Sequence, residues 1–273
     1  MTFGLASASV ELGGRTVLDD VTLRIAPGSV VAVVGGDGAG KSTLLRALVG
    51  EVALSRGSVD APPPDRIGYL PASAGSWAAL TVQQNVDFVA GVYGVPPGEL
   101  GARRGALLER AALTSASDRP ASQLSGGMRR KLGFSMAAVH APQLLVLDEP
   151  STGVDPVSRI DLWRLVTQAA AAGAAVVLST TYLDEAERAA SLVVLDRGRV
   201  LAQGPVDDVL DAFDGVVVRT PVAQRPEWSW RRGRDLHELL PPGAAADRAD
   251  AVVPDLEDVV VALSLRSRAE VPA

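Results

Sequence analysis

Short apolar runs alternate with segments of helical periodicity along most of the chain. The clearest run, at residues 30–34, follows a turn at Pro27 and Gly28 and contains no polar residue. Such a run is typical of a strand that is buried on both faces. Further strands are predicted at residues 21–25, 67–70, 144–147, 175–179 and 192–195. Because helical segments separate most of these strands, the pattern predicts an α/β fold.

Helical signals dominate residues 73–140, and we predict that this region is a helical insert within the sheet. Thr81 and Gln84 have the spacing of a capping box, in which each side chain bonds the backbone N–H of the other residue. Asp155 followed by Pro156 predicts the start of a later helix, and Gly173 marks its end.

The amino-acid composition changes after Phe213, where several prolines and an arginine cluster interrupt the apolar pattern. These residues predict a looser tail, and an apolar stretch at residues 256–265 predicts that it closes with a helix. We therefore predict one domain over residues 1–213 and a C-terminal extension over residues 214–273.

Composition excludes several kinds of protein. The chain of 273 residues has no cysteine, which excludes a disulfide scaffold and thiolate chemistry. It has two histidines, so we expect no histidine-based zinc site. The net charge of -6 argues against a protein that coats polyanions, and we expect no nucleic-acid partner. No basic segment followed by an apolar core opens the chain, so we expect a soluble, cytoplasmic protein without a secretory signal.

The residues that follow the run at 30–34 match the pattern G-x-x-x-x-G-K-[ST]. Glycines allow successive backbone N–H groups to face a phosphate, and the N-terminus of the following helix adds its positive pole. Lys41 is expected on the β- and γ-phosphates, and the Ser42 hydroxyl on Mg²⁺. The candidate ATP-binding residues are Gly35, Gly36, Asp37, Gly38, Ala39, Gly40, Lys41, Ser42 and Thr43.

A second candidate group ends the apolar strand at residues 144–147. Asp148 and Glu149 follow that strand directly. Carboxylate oxygens are suitable Mg²⁺ ligands, so Asp148 is expected to hold the metal together with Ser42. Glu149 is the candidate catalytic residue, because a second carboxylate here can orient or deprotonate a water.

Two further motifs identify a family. Residues 124–128 read Leu-Ser-Gly-Gly-Met, and residues 148–155 read Asp-Glu-Pro-Ser-Thr-Gly-Val-Asp. With the glycine-rich loop upstream, this order resembles the ATP-binding subunit of ABC transporters, over roughly residues 6–213. The drug-exporter branch is the most similar in its motifs. The resemblance implies a P-loop NTPase core, with a RecA-like sheet, an antiparallel β part and an ABC-specific helical insert.

The resemblance also implies partners and cofactors. Two such subunits stack head to tail, so Ser125, Gly126 and Gly127 would serve ATP that is bound by a second ATP-binding subunit. Transmembrane permease subunits would carry out the transport, with this chain bound peripherally at the cytoplasmic side of the plasma membrane. ATP and Mg²⁺ are the implied cofactors.

Three residues depart from the family pattern. Leu12 stands where the family stacks an aromatic ring on adenine, Ala72 replaces a glutamine near Mg²⁺, and Thr181 replaces a histidine that donates to the γ-phosphate. We therefore predict an impaired ATPase site, and a second subunit that is not identical to this one. A regulatory subunit that senses nucleotide without hydrolysing it, an importer subunit and a soluble ABC ATPase are the alternatives.

Two aromatic features leave their roles open at this stage. Trp77 lies where the family receives the coupling helix of the membrane subunit, and it is either an exposed anchor or a packed side chain of the insert. Trp228 and Trp230 are interleaved with arginines, and this cluster is either a lipid- or subunit-facing patch or a solvated face of the tail. The arginines are Arg225, Arg231, Arg232 and Arg234.

Overall fold

Apolar runs of the kind found at residues 30–34 build the central sheet. The computed structural model describes residues 2–73, 75–241, 243–244 and 248–270. The strands in these ranges are β1 (Phe3–Leu12), β2 (Arg15–Ile25), β3 (Val30–Val34), β4 (Arg56–Asp60), β5 (Ile67–Leu70), β6 (Leu144–Leu147), β7 (Ala175–Thr180), β8 (Ser191–Asp196), β9 (Arg199–Gly204), β10 (Val217–Thr220), β11 (Ser229–Arg232) and β12 (Asp235–Leu239).

Helices connect and cover these strands. The α-helices in the same ranges are α1 (Lys41–Leu48), α2 (Val82–Val92), α3 (Pro97–Arg110), α4 (Gly126–Ala138), α5 (Pro156–Ala171), α6 (Leu183–Ala186), α7 (Val206–Asp211) and α8 (Leu256–Glu270). No helix in the described part of the chain combines the length and the apolarity that crossing a membrane requires.

The central sheet has the strand order β5-β6-β7-β3-β8-β9. Neighbours from β5 to β8 are parallel, and β9 pairs with β8 antiparallel. Side chains of β3 alternate between two apolar layers, because Ala32 and Val34 face one layer while Val31 and Val33 face the other. The continuous apolar runs of β3, β6 and β7 therefore mark strands covered on both sides, as predicted.

Different elements pack on the two faces of the central sheet. The helices α2 to α5 contribute most of one layer, and α1 packs with an antiparallel sheet of order β2-β1-β4 in the other. The fold is thus a mixed α/β P-loop NTPase fold with an antiparallel part, and the fold prediction is confirmed.

Both predicted helix starts have the expected capping geometry. Thr81 and Gln84 form the complete capping box at the start of α2. The Asp155 side chain accepts hydrogen bonds from the N–H groups of Val157 and Ser158 at the start of α5. That helix ends at Ala171, just before Gly173, so the predicted stop is also confirmed.

The prediction of a looser tail is wrong for residues 217–239. These residues form an antiparallel sheet of order β10-β12-β11. Each strand is only four or five residues long, and prolines and charged residues separate them, which is why the apolar pattern concealed them. The predicted final helix is present as α8, and its Leu256 and Val259 belong to the same apolar layer as the insert.

The structure shows the contacts of Trp77 and of two arginines in the C-terminal cluster, whose roles were open from the sequence. Trp77 is 44% exposed and forms an edge-to-face pair with Phe88, so it is an exposed side chain of the insert rather than a packed one. Arg225 pairs with buried Glu238, and Arg232 pairs with three acids of the α8 region. These two arginines therefore have structural partners within the C-terminal sheet and helix.

Candidate functional site

The glycine-rich loop joins the carboxyl end of β3 to the start of α1. Gly40 caps the helix with φ of 106°, a backbone conformation that side chains with a Cβ rarely adopt. A Cβ at this position would lie 2.9 Å from Cδ2 of Leu18 and 3.2 Å from the Val17 carbonyl oxygen, so the loop packs closely against β2. The loop therefore depends on β2 as well as on its own sequence.

Lys41 is held inside the curve of this loop. Its Nζ donates to the carbonyl oxygens of Gly35 at 2.9 Å and Gly36 at 3.2 Å. The side chain is almost fully buried, and its ammonium lies 3.7 Å from Oε1 of Glu149. An ammonium ordered in this way is a preformed point charge for a phosphate.

The loop lines an open cleft of about 320 Å³. Other lining residues are Val17 of β2 and Glu149, which follows β6. The loop residues in the cleft wall are Asp37, Gly38, Ala39, Gly40, Lys41, Ser42 and Thr43.

Asp148 joins the loop to two neighbouring strands. Its Oδ1 accepts hydrogen bonds from Oγ of Ser42 at 3.1 Å and from Oγ of Ser179 at 2.7 Å. The Asp148 backbone N–H donates to the carbonyl of Leu70 at the end of β5. Almost complete burial and three defined contacts hold this carboxylate at the cleft.

The donor set suits Mg²⁺. A serine hydroxyl and a carboxylate oxygen, 3.1 Å apart at Ser42 and Asp148, are hard oxygen ligands of the type that this ion prefers. No cluster of three or more His, Cys, Asp or Glu residues suited to a metal occurs in the described ranges. In the usual Mg²⁺ arrangement, one or two protein ligands act together with substrate phosphates and waters.

Glu149 has an unusual backbone conformation beside Asp148. Its φ is 47°, in the left-handed region, which costs a non-glycine residue about 1–2 kcal/mol. Two contacts stabilise this conformation: the Glu149 N–H donates to Oγ of Ser179 at 2.9 Å, and Oγ1 of Thr152 donates to Oε2 at 3.1 Å. The carboxylate is consequently directed at Lys41 and the cleft.

The structure shows where the three residues predicted to differ from the family pattern lie. Leu70, Leu147 and Leu178 pair side by side, so the ends of β5, β6 and β7 lie at one edge of the sheet. Ala72 and Thr181 follow two of these ends and are both exposed. Leu12 ends β1, is 46% exposed and is not among the residues that line the cleft.

The Ser-Gly-Gly motif begins α4 and does not line the cleft around Lys41. Ser125 caps the helix by accepting a hydrogen bond from the N–H of Met128 at 3.2 Å. Ser125 and Gly126 are exposed, whereas Gly127 is buried against α5. A Cβ at residue 127 would lie 2.6 Å from Oγ of Ser158, so only glycine fits there.

Sequence reasoning missed two residues near the acidic strand end. Ser179 is the last residue of a predicted strand, and its two contacts to Asp148 and Glu149 depend on the pairing of β6 with β7. Arg130 of α4 is half-buried, with Nη1 3.5 Å from the Pro71 carbonyl. Its position after the Ser-Gly-Gly motif was the available signal, because three basic residues follow that motif at 129–131.

Burial and charge perturb the groups around Asp148. Burial lowers the pKa of Arg130, although the charges of Glu149 and Asp148 act in the opposite direction. Burial, together with the charge of Asp148, raises the pKa of Tyr69 to about 12. The acidic pair therefore creates a negative field that a divalent cation would neutralise.

Known proteins resemble this chain over most of its length. The family described as “ABC transporter” matches residues 18–152. Nod factor export ATP-binding protein I of Bradyrhizobium diazoefficiens is 33% identical over 226 residues, covering 79% of this chain and 74% of that protein. Daunorubicin resistance ATP-binding protein DrrA2 of Streptomyces coeruleorubidus is 35% identical over 226 residues, covering 79% of this chain and 70% of that protein. A solved structure described as an ATP-binding subunit of an ABC transporter has a TM-score of 0.72 and 29% identity, covering 77% of this chain and 92% of that one.

Proposed function

The chain belongs to the ATP-binding proteins of ABC transporters, and from this premise we propose that it is the ATP-binding subunit of an exporter. Two of its relatives are named for Nod factor export and daunorubicin resistance, which supports export over import. We place the chain at the cytoplasmic side of the plasma membrane, peripherally bound to transmembrane permease subunits, with no nucleic-acid partner.

One observation carries this proposal. Ser42 and Asp148 approach to 3.1 Å beside the buried ammonium of Lys41. Lys41 and the loop N–H groups would bind the phosphates of ATP, while Ser42 and Asp148 would hold Mg²⁺. When bound, Mg²⁺ neutralises charge on the β- and γ-phosphates. Glu149 would orient or deprotonate the attacking water.

We propose that this site binds ATP well and hydrolyses it slowly. Ala72 has no side chain able to contact a metal-bound water, and Thr181 lacks the imidazole that the family uses at the γ-phosphate. Loss of one preorganised donor costs about 10²- to 10³-fold in rate. Lys41 and the loop, which provide ground-state binding, are retained.

The second subunit in our proposal is not identical to this chain. Ser125 and Gly126 are exposed at the N-terminus of α4, a position suited to contact with an anion on a partner. Together with Gly127 they would complete the ATP site of a subunit that retains the glutamine and histidine. The complex would then have one weak site and one efficient site.

A regulatory subunit that binds ATP without hydrolysing it is the second candidate. The absence of side-chain donors at Ala72 is the observation that favours it. ATPase rates separate the two, because a regulatory subunit would leave the complex's turnover unchanged when its own Ser-Gly-Gly motif is blocked. For either function we propose an ATP-binding domain at residues 1–213 and an extension at residues 214–273.

The direct test of nucleotide binding uses one variant and a control from the same helix. Lys41→Ala should abolish Mg-ATP binding in calorimetry, because the phosphate-facing ammonium is lost. Arg46→Ala removes an exposed cation from the last turn of α1 and should leave the affinity unchanged. Equal affinities of wild type and Lys41→Ala would contradict the phosphate-loop assignment.

A further inference from the structure

Glu185 is a buried carboxylate that the proposed chemistry does not use. It lies in the short helix α6, only 4% exposed. Its Oε2 accepts hydrogen bonds from Oγ of Ser151 at 2.7 Å and from Oγ1 of Thr180 at 2.8 Å. Its Oε1 accepts a third bond, from Nε of Arg159 in α5 at 3.2 Å. One carboxylate thus joins residues 150–155, the end of β7 and α5.

The first of these segments packs against the start of α4. Ser151 belongs to residues 150–155, which continue directly from Glu149. In this segment the carbonyl oxygen of Gly153 would lie 3.5 Å from a Cβ at residue 126. Oδ2 of Asp155, which ends the segment, would lie 3.4 Å from a Cβ at residue 127. The segment is therefore packed against the glycines of the Ser-Gly-Gly motif.

The second segment, the end of β7, contacts the acidic pair Asp148 and Glu149. Thr180 is the last residue of β7 and is buried. Its neighbour Ser179 contacts both Asp148 and the Glu149 backbone. The next residue is Thr181, at the position where the family has its γ-phosphate histidine. Any displacement at the end of β7 would therefore reach Glu185 through one hydrogen bond.

We propose that Glu185 is a positioning residue that couples this chain's own phosphate site to the Ser-Gly-Gly motif at the start of α4. Bonds from hydroxyls to a carboxylate are stronger and geometrically tighter than bonds between neutral groups. Residues 150–155 are thereby tied to the end of β7, so the two ends of the path move as one unit. The coupling rests on the proposed function, because it matters only if the motif serves a partner's ATP.

Asp184 provides a matched control on the adjacent residue. Both of its carboxylate oxygens bind Nη2 of Arg159 at 2.9 Å, so it shares the arginine with Glu185. Its side chain is 58% exposed, and its hydrogen bonds involve neither Ser151 nor Thr180. Asp184→Asn therefore weakens the arginine pair without touching the hydroxyl connection.

The test compares Glu185→Gln with Asp184→Asn. Glutamine keeps the shape of the side chain and removes the charge. In the complex with its partner subunits, Glu185→Gln should lower kcat for ATP about 10- to 100-fold, as expected for a small misplacement of groups remote from the chemistry. Its KM and the Mg-ATP affinity of the full chain should stay near wild type, whereas its melting temperature should fall, because a buried carboxylate loses its charge while Arg159 keeps its own. Asp184→Asn should leave kcat, KM and the Mg-ATP affinity unchanged.

A double-mutant cycle tests the connection itself. Ser151→Ala and Thr180→Val each remove one hydroxyl bond to Glu185, so the double variant should lose little more kcat than either single one. Additive losses would overturn the coupling, as would a wild-type kcat in Glu185→Gln. A parallel fall in kcat and in the Mg-ATP affinity of this chain would also overturn it, since that is the result of a structural role alone. Failure of the wild-type chain to bind Mg-ATP would instead contradict the proposed function.

Discussion

The Ser179 hydroxyl donates a hydrogen bond of 2.7 Å to Oδ1 of Asp148, across the boundary between β7 and β6. Ser179 is fully buried and Asp148 is 3% exposed, so water does not compete for this bond. The same hydroxyl accepts from the N–H of Glu149. A single serine therefore orients one carboxylate through its side chain and the next through its backbone.

Ser179→Ala should lower the free energy of unfolding by about 1.5–3 kcal/mol, the usual value of a hydrogen bond to a charged group. Urea unfolding measures this quantity. Ser135→Ala is the control, because Ser135 is equally buried but donates only to the Lys131 carbonyl within its own helix. An equal decrease in the free energy of unfolding in the two variants would show that the bond to Asp148 stabilises the fold no more than a bond to a neutral carbonyl.

Ser125→Arg should stop ATP hydrolysis by the complex while this chain still binds its own ATP. The new side chain would fill the γ-phosphate pocket of the partner and obstruct the N-terminus of α4. Steady-state ATPase assays and calorimetry measure the two effects. Ser122→Arg adds the same charge three residues earlier, at an exposed position, and should have little effect. Undiminished turnover in Ser125→Arg would exclude the heterodimer as proposed.

Restoring the two absent groups should make the weak site faster. Ala72 and Thr181 are exposed after the ends of β5 and β7, the two strands that flank β6, so Ala72→Gln and Thr181→His can be accommodated without repacking the core. The double variant should raise the turnover of this site about 10²-fold or more, and each single variant should raise it less. The rate is best measured in a complex whose partner carries an inactivated site. No increase in the double variant would mean that other groups limit this site.

Stability should depend on pH through His140. Burial lowers the pKa of this imidazole, although its bond to the Ile67 carbonyl acts in the opposite direction. The ring stacks on Tyr93, and Nδ1 is buried without a hydrogen-bond partner in the described part of the chain. The folded state thus favours neutral His140, whereas the unfolded chain takes up a proton near pH 6.5.

The free energy of unfolding should therefore fall as the pH drops below about 6.5, by at most about 1.4 kcal/mol per pH unit from this group. The fall should end near the lowered pKa of the folded state. His140→Gln can keep a donor for the Ile67 carbonyl and should flatten the curve below pH 6.5. His237→Gln, the change at the other histidine, should leave the His140 contribution in place. An unchanged slope in His140→Gln would contradict the assignment.

Local sequence signals predicted five of the six strands of the central sheet and the two caps, but not β9. The strands at residues 30–34, 67–70 and 144–147 have the predicted bounds, since apolar runs and turn residues delimit them clearly. The loop around Lys41 and the acids at Asp148 were also predictable, because their chemistry lies in contiguous motifs. The loop and the acids were expected at one cleft, because the carboxyl ends of parallel strands lie at the same edge of a sheet.

Contacts between distant segments were not predictable in this way. Ser179 and Glu185 act through partners about 30 residues away, and no local pattern distinguishes them from other polar residues at a strand end or in a short helix. The C-terminal sheet was missed for a related reason. Its strands are short, and their stability comes from pairing and from packing against Ala262 of α8 rather than from strong periodicity.

The strand order of the central sheet also determines when the site can form during synthesis. β3 lies between β7 and β8, and the earlier of these two strands begins at Ala175, long after β3 ends at Val34. Until then the apolar β3 has no partner on either edge, and the loop that follows it is not supported by Asp148 or Ser179. The nascent chain therefore exposes a pairing-prone strand while residues 35–174 are made, and such an unpaired strand edge is prone to associate with other chains.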